Sequence, residues 1–311
     1  MSAIVHVLGR GIVAGRVGRM LYDRTIETID TRRPSFRAVR PGDVVVLAHG
    51  GEHAHPAATA LELGAHVVAV GDGVDDTRAQ LALGVLAAEQ GTTLVVGAAM
   101  APGLAGLFAR HLAAGLAGVD EIHVAVHGTA GPACARAHHR SLRHPALGWH
   151  DGHWVEHLGG SGRELCWFPE PIGARDCYRA AHAAPVLLQR AFPAIGRISM
   201  RRSATRRDRF TARLPMLRAP HHEGGVGALR VEVRGDDPAG GRACMVGGVA
   251  ELVGTAAGSC AAAFVAELLH GGLPAGLVVP GDAKLPTLSL LHRVESYGVR
   301  LQEFTGIPTL S

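Results

Sequence analysis

A glycine-rich turn begins at residue 9, between an apolar segment and an amphipathic one. It consists of Gly9, Arg10, Gly11, Ile12, Val13 and Ala14, which follow the pattern Gly-x-Gly-x-x-Gly/Ala. In this pattern the first glycine makes a tight turn, the second lets a pyrophosphate approach the backbone, and the third small residue keeps helix and sheet close. The start of the following helix offers free N–H groups and a positive dipole end to phosphates. The six residues therefore predict a dinucleotide site.

An acidic residue follows this turn at the distance that such a site requires. Asp30 ends the second predicted strand, about twenty residues beyond the glycines. Its carboxylate would accept hydrogen bonds from the adenosine ribose and repel a 2′-phosphate. Arg32 and Arg33 lie just beyond; they either bind that phosphate or form a solvated turn. The expected cofactor is NAD or NADP, with NAD slightly favoured.

Further cofactor contacts are expected at the ends of later strands, because ligands of open α/β sheets bind along the carboxyl edge. The alternative is that these segments are structural turns. The candidate residues are Ala48, His49 and Gly50 in one turn, Gly71 in the next, and Gly97 and Met100 in the third.

Short apolar segments alternate with amphipathic ones through the first third of the chain. This β-α-β-α order with short connections predicts a doubly wound parallel sheet, characteristic of the α/β class. The predicted strands cover 4–8, 25–29, 43–48, 66–70 and 92–96, and the predicted helices cover 14–22, 56–63 and 77–90.

The pattern changes near Val119, where strands are joined by longer links rich in Gly, Pro and His. Strands are expected at 121–127, 163–168, 196–203 and 229–234, and helices at 254–269 and 285–296. We expect an α/β substrate domain with a mixed or antiparallel sheet. The predicted units are a dinucleotide-binding domain at 1–119, a substrate and dimerisation domain at 120–248, and C-terminal helices at 249–311 that pack back on the first domain.

The composition excludes several classes of protein. The chain has 311 residues, of which 47% are hydrophobic and 19% charged, so it is long and apolar enough to fold without staples. Five scattered cysteines indicate a reduced compartment, and no apolar segment is long enough to span a bilayer, so a cytoplasmic protein is expected. The arginine run at 197–213 contains one aromatic residue, which favours a charged strand edge over a nucleic-acid site.

Hydride transfer also needs a group that exchanges a proton with the substrate. His221 is the first candidate, because it lies in a segment rich in anion-binding and titratable groups that also contains Arg213 and His222. Tyr178 is the second candidate, although its alternative role is core packing. Arg213 and His222 are expected to contact the substrate.

A histidine-rich segment at 149–157 allows two interpretations. Its His and Asp side chains could bind a metal, but no metal site is expected, because the codon usage of the chain enriches histidine. The preferred interpretation is an Asp-Gly turn that joins two strands. Trp149 and Trp154 on those strands would then wall a substrate pocket.

Several of these segments together resemble saccharopine-dehydrogenase-like oxidoreductases. The resemblance rests on the glycine turn, the turn at 98–104, the strand at 120–124, Phe168-Pro169-Glu170-Pro171, Asp176-Cys177-Tyr178 and Gly298-Val299-Arg300. It implies a Rossmann domain, an α/β substrate domain, a homodimer and NAD(P)-linked chemistry at a C–N or C–O centre. Family members that use a lysine and histidine pair do not map here, because Lys284 is the one lysine of the chain.

These observations predict an NAD(P)-dependent oxidoreductase that acts on a small polar ketone, imine or amino-acid-like substrate, with specialised metabolism as a candidate setting. No nucleic-acid or membrane partner is expected. The alternative is a non-catalytic Rossmann protein that senses a nucleotide or serves as a scaffold.

Overall fold

A computed structural model of the chain describes residues 3–216 and 219–304 and contains two β-sheets. The first sheet has six strands and the second has nine. The first is parallel and the second is mixed, with helices packed on both. The α/β class predicted from the sequence, a Rossmann-like sheet followed by a mixed sheet, is confirmed.

The first sheet reverses its strand order beside the glycine turn. Its strands are β1 (Val5–Leu8), β2 (Ile26–Ile29), β3 (Val44–Leu47), β4 (His66–Ala69), β5 (Thr93–Val96) and β14 (Gly276–Val278). Their spatial order is β14-β5-β4-β3-β1-β2, and every neighbouring pair is parallel. The chain leaves β1 toward one edge and returns past it to β3. Such a reversal opens a crevice at the carboxyl ends of the strands, where ligands bind.

Helices cover the first sheet on both faces, and this explains why β1, β3 and β5 are buried along their whole length and mostly apolar. The helices form two groups. The members of the first group pack together and are α1 (Ile12–Met20), α9 (Val253–Leu269) and α10 (Thr287–Ser296). The members of the second group also pack together and are α2 (Ala54–Glu62), α3 (Val74–Ala82) and α4 (Gly84–Glu89). An irregular turn at Met100–Leu104 leads into α5 (Ala105–Ala113).

The five strands predicted for the first domain are present, but the helix predicted at 77–90 is divided into α3 and α4. The division lies at Leu83 and Gly84. A Cβ atom on Gly84 would come within 2.9 Å of the Leu277 Cβ in β14. The glycine therefore allows α4 to pack directly on this edge strand.

The second sheet is built around two long central strands, β6 (Gly118–His127) and β12 (Val226–Asp236). Its members are β6 (Gly118–His127), β7 (Ala146–His150), β8 (His153–His157), β9 (Glu164–Phe168), β10 (Gly173–Arg179), β11 (Arg197–Ser203), β12 (Val226–Asp236), β13 (Arg242–Leu252) and β15 (Leu301–Phe304). The main order is β15-β13-β12-β6-β11-β10-β9, and β7 pairs with β11 and β8. Only β6 and β11 are parallel among the described pairs of this sheet. The helices of this part are α6 (Pro132–Ser141), α7 (Ala184–Ala191) and α8 (Arg206–Thr211).

The end of the chain contributes to both sheets. Helices α9 and α10 pack with α1 and α5, and β14 extends the first sheet. The last described strand, β15, pairs instead with β13 of the second sheet. The sequence did not indicate strands β10, β13, β14 or β15. No helix among the described residues is both long and apolar enough to cross a membrane.

Small residues let the glycine-turn helix α1 lie unusually close to α9. A Cβ atom on Gly258 would come within 2.6 Å of the Arg16 Cβ, and a Cβ on Gly254 would overlap the Ile12 side chain. The two glycines are one helical turn apart, so they form one groove along α9. This groove fixes the position of α1 relative to the rest of the domain.

We expect Gly258→Ala to lower the free energy of unfolding by about 1–3 kcal/mol, because the added methyl group overpacks the contact with Arg16. Gly18→Ala is the matched control: it places the same methyl group in the interior of α1, where nothing lies within 4 Å. That control should be neutral or stabilise by roughly 0.5–1 kcal/mol. Denaturant unfolding measures both, and equal effects would contradict the close packing of α1 on α9.

Candidate functional site

The first glycine of the turn lies where no other residue fits. Gly9 has a φ of +142°, and a Cβ atom there would overlap the carbonyl oxygen of Ala48. Because β1 and β3 are adjacent, the turns that follow them are in direct contact. Ala14, at the third small position, is 6% exposed. The turn is therefore held tightly against the sheet, as its sequence pattern predicts.

The second glycine opens onto free space at the start of α1. Gly11 caps the helix with an extended backbone, and a Cβ atom there would meet nothing within 4 Å. The first turn, which includes Ile12 and Val13, contains no acidic residue, and no side chain caps it. The positive end of the helix is thus accessible to an anion.

Asp30 lies next to the turn at the end of β2. Its Oδ2 atom is 3.4 Å from the Arg10 guanidinium, and its Oδ1 atom accepts a hydrogen bond of 2.9 Å from the Arg32 N–H. The side chains of Arg10 and Asp30 are 69% and 40% exposed, so both can rearrange around a ligand. The structure brings Asp30 and Arg32, which the sequence assigned to the adenosine end of a cofactor, together with Arg10 of the glycine turn.

Loops of the second domain approach the same turn. A Cβ atom on Gly131, just before α6, would lie 2.9 Å from the Ile12 Cδ1 and 3.3 Å from the carbonyl oxygen of His222. A Cβ atom on Gly50 would lie 2.7 Å from the Ala133 Cβ in α6. The ends of β1, β3 and β6 therefore meet along one seam between the two sheets.

His221 and His222 lie on a loop at this seam. Their rings are 4.6 Å apart and both residues are exposed. The Glu223 N–H donates to the His221 Nδ1 at 3.2 Å, so the neutral His221 ring carries its proton on Nε2. Arg213, earlier in the same segment, is exposed in the turn after α8. Leu217 and Arg218, between them, lie outside the described residues.

The turns after β3 and β4 contain a pair of histidines. His49 is half-buried, and its ring lies edge-on to that of His53 at 4.5 Å. The His53 Nε2 lies 3.1 Å from the His49 carbonyl oxygen, and burial lowers the pKa of His53 to about 4. A Cβ atom on Gly71 would come within 3.0 Å of the His53 Nδ1. His49 and Gly71 are thus linked through His53, which the sequence did not single out.

The turn after β5 is more buried than expected. Met100 is 2% exposed, and a Cβ atom on Gly97 would come within 2.6 Å of both Leu187 and Pro102. Helix α7, which carries Leu187, covers this turn. Gly97 and Met100 therefore occupy the core rather than an open edge, and their position does not favour direct cofactor contact.

Tyr178 lies in the core, as the alternative interpretation of this residue expected, and this position does not favour the suggested catalytic role. Tyr178 is 1% exposed and packs with Leu142 and Ala212. The Arg209 guanidinium lies over its ring at 4.2 Å from the centroid. Aliphatic side chains and one guanidinium thus surround the Tyr178 ring.

The pocket wall suggested for Trp149 and Trp154 is also not formed at the seam. The two residues pair across the β7–β8 hairpin, with ring centroids 5.0 Å apart, and Asp151 and Gly152 form the predicted turn. Trp149 lies opposite Ile198 in β11, whereas the seam lies at the other end of that strand. Arg202, at the seam end of β11, is four residues beyond Ile198, which corresponds to about 13 Å along the strand. Among the described residues, no three His, Cys, Asp or Glu side chains converge as a metal site.

A buried polar cluster that the sequence did not indicate joins the two sheets. Arg202, in β11, donates to Asp72, which follows β4, at 2.7 Å. The His182 Nε2 lies 3.6 Å from the same carboxylate oxygen, and the His182 Nδ1 accepts from the Ala184 N–H. His138 lies beside them, with its Nε2 3.1 Å from the Ser203 carbonyl oxygen. The residues come from four distant parts of the chain, so no local pattern reveals them.

Burial and charge fix the protonation states of this cluster. Burial alone would raise the pKa of Asp72, but the charge of Arg202 and its hydrogen bond hold that pKa below its ordinary value. Burial, with a further contribution from Arg202, lowers the pKa of His138 and of His182 to about 3. The cluster therefore contains one ion pair and two neutral imidazoles at neutral pH.

Known structures share this fold. Saccharopine dehydrogenase (L-Glu forming) from Saccharomyces cerevisiae matches with a TM-score of 0.69 and 14% identity over 97% of this chain and 99% of that chain. An engineered D-amino acid dehydrogenase bound to NADP+ matches with a TM-score of 0.51 and 14% identity, covering 93% of this chain and 96% of that one. A variant of meso-DAPDH with DAP from Clostridium tetani E88 gives 0.50 and 12%, again covering 93% and 96%.

At these identities the likeness shows the fold alone. It confirms the structural resemblance to saccharopine dehydrogenase that the sequence indicated. No protein-family model matches the chain, and no protein with a curated function matches its sequence.

The two neutral histidines of the cluster predict that the protein loses stability on acidification. Their pKa of about 3 in the folded state lies below the ordinary value of 6.5, so the unfolded chain binds protons first. Their contribution is complete above about pH 6.5 and falls by up to about 1.4 kcal/mol per histidine and pH unit below it. We expect the free energy of unfolding to fall between about pH 7 and pH 5.

The double variant His138→Gln with His182→Gln should flatten this pH dependence, and His55→Gln, an exposed residue of α2, should leave it unchanged. Denaturant titrations across the pH range measure the slopes. An unaltered slope in the double variant would refute the assignment of neutral histidines.

Proposed function

We propose that the chain is an NAD(P)-dependent oxidoreductase. The observation that carries the proposal is the turn between β1 and α1, where Gly9 is held against Ala48 and Gly11 leaves the positive end of a helix free. This arrangement lies at the reversal of strand order, where an open parallel sheet binds its ligand.

The residues present fit a dinucleotide. The backbone of Gly11 and Ile12 would hold the pyrophosphate, and Asp30 would hold the adenosine ribose. His49 and Gly50, after β3, would line the next part of the cofactor. The bound nicotinamide supplies hydride chemistry, and the protein supplies its orientation and a proton.

The charges around Asp30 bear on the choice of cofactor. Asp30 favours the free ribose hydroxyls of NAD, and its charge repels a 2′-phosphate. The Arg10 guanidinium, 3.4 Å from Asp30, weakens this repulsion, and the Arg32 backbone N–H donates to the same carboxylate. We therefore propose NAD as the preferred cofactor, with measurable binding of NADP.

The proposed substrate is a small amino-acid-like molecule or the corresponding ketone or imine. Support comes from the fold shared with saccharopine dehydrogenase and with a D-amino acid dehydrogenase. His221 is the proposed proton-exchanging group, because its loop lies against Gly131 and Ile12 and its Nε2–H points away from the Glu223 hydrogen bond. From there it would exchange a proton with the substrate nitrogen or oxygen.

Titration of the protein with NADH and NADPH, followed by cofactor fluorescence, tests the nucleotide site. We expect both to bind, NADH more tightly. Gly11→Val should weaken binding of both by about a hundredfold, because the side chain fills the space of the pyrophosphate without touching the protein. Gly15→Val, one helical turn further along α1, is the control for folding, because Gly15 is exposed, has no positive φ and has nothing within 4 Å of an added Cβ atom. Failure of both cofactors to bind the wild-type protein at millimolar concentration would refute the proposal.

His221→Ala should lower turnover by about 10²- to 10⁴-fold while leaving the Kd for NADH unchanged, because the imidazole exchanges the substrate proton and does not hold the cofactor. Turnover is measured with a panel of amino acids, and of small ketones with ammonia. His55→Ala serves as an exposed histidine control. Normal turnover in His221→Ala would remove this residue from the site, and cofactor binding without hydride exchange would favour the non-catalytic alternative.

A further inference from the structure

A second cleft opens beside the buried cluster, on the opposite half of α6 from the nucleotide turns. It has a volume of about 330 Å³ and lies between α3, the C-terminal half of α6 and the β7–β8 hairpin. Ala133, near the start of α6, contacts Gly50, whereas Arg140 and Ser141, at its end, line the cleft. The helix thus separates this cleft from the glycine turn and from the turn after β3, whereas Asp72 and Gly73, in the turn after β4, line the cleft itself.

The floor of the cleft contains an arginine whose hydrogen bonds are incomplete. Arg202 lines the cleft, its side chain is 6% exposed, and its Nε atom has no partner among the described residues. The buried His182 Nε2, which carries the proton because its Nδ1 accepts from the Ala184 N–H, likewise lacks a partner within the described part of the chain. A buried donor without a partner costs about 1–3 kcal/mol, so these two donors call for an acceptor.

Two further cations face the cleft. Arg140 is exposed on α6, and no carboxylate of the described ranges lies within ion-pair distance of it. Arg78 lies on α3 and is 4.0 Å from Asp75, whose side chain is fully exposed. The N-terminus of α3, at Gly73, also lines the cleft and has no side-chain cap. These groups would all favour an anion.

The carboxylates of the cleft do not cancel this preference. Asp72 is engaged by Arg202 and lies next to His182, so its charge is neutralised within the floor. Asp75 points into solvent. Glu156, on β8, is the remaining acidic group of the lining, and it weakens the attraction for an anion without occupying the floor.

We propose that this cleft binds a small oxyanion, the carboxylate or phosphate group of a metabolite-sized ligand. Arg140 and Arg78 contact the anion at the mouth, and the Arg202 Nε and the α3 N-terminus provide donors deeper in the cleft. The site goes beyond the proposed dehydrogenase function and does not require the cofactor, since the glycine turn and the turn after β3 lie at the other end of α6.

Calorimetric titration of the nucleotide-free protein with inorganic phosphate and with glutarate, at low ionic strength, tests the proposal. We expect the protein to bind one equivalent of phosphate or of glutarate. The probe that binds more tightly shows whether the cleft recognises a phosphate or a carboxylate. Arg140→Ala should weaken binding about tenfold or more, because it removes a charge-assisted hydrogen bond. Glu156→Gln should strengthen binding severalfold, because it removes a negative charge from the lining.

Arg143→Ala is the matched control, since Arg143 is exposed just beyond the same helix and does not line the cleft. Absence of binding in the millimolar range for both probes, or equal binding by Arg140→Ala and wild type, would overturn the proposal. Weaker binding by Glu156→Gln would also overturn it, because the ligand would then be recognised through a cation. If phosphate or glutarate binds but NADH does not, the proposed dehydrogenase function fails while the oxyanion site stands.

Discussion

The buried ion pair between Asp72 and Arg202 holds the two sheets of the molecule together. It joins the end of β4 to the end of β11, and two neutral histidines fill the space around it. Arg202 is 6% exposed and Asp72 is 31% exposed, so removal of Asp72 would leave the buried arginine charge uncompensated, a loss of about 3–5 kcal/mol. A hydrophobic pair of the same size would not carry that penalty. The ion pair therefore fixes one relative placement of the sheets more than it adds to stability.

This placement determines where ligands can bind. The carboxyl ends of β1, β3 and β4 face the carboxyl ends of β6 and β11, so every loop that follows these strands lies along one seam. Helix α6 runs along the seam from Ala133 to Ser141 and divides it. On one side the glycine turn presents the positive end of α1, and on the other the cleft presents Arg140 and Arg78. One helix thus separates two surfaces that both attract anions.

The local parts of this arrangement could be predicted from the sequence, and the long-range parts could not. The turn from Gly9 to Ala14 is specified by neighbouring residues, and Asp30 follows from the length of one β-α-β unit. Asp72 and Arg202 are 130 positions apart, so no periodicity connects them. Residue type also misled at Tyr178, since an aromatic ring near charged residues fits a core as well as a site. Its burial depended on Arg209 and Leu142, which are remote in sequence.

The scarcity of lysine limits the chemistry that the seam can support. Lys284 is exposed after β14, which is four strands from β1 in the first sheet, or about 19 Å at the usual spacing. At that distance Lys284 does not reach the glycine turn. Histidine is the remaining side chain whose ordinary pKa lies near neutral pH, and burial lowers the pKa of His53, His138 and His182 below that range. His221, the proposed proton-exchanging group, lies instead on an exposed loop, and the neighbouring His222 carbonyl oxygen approaches Gly131 at the seam.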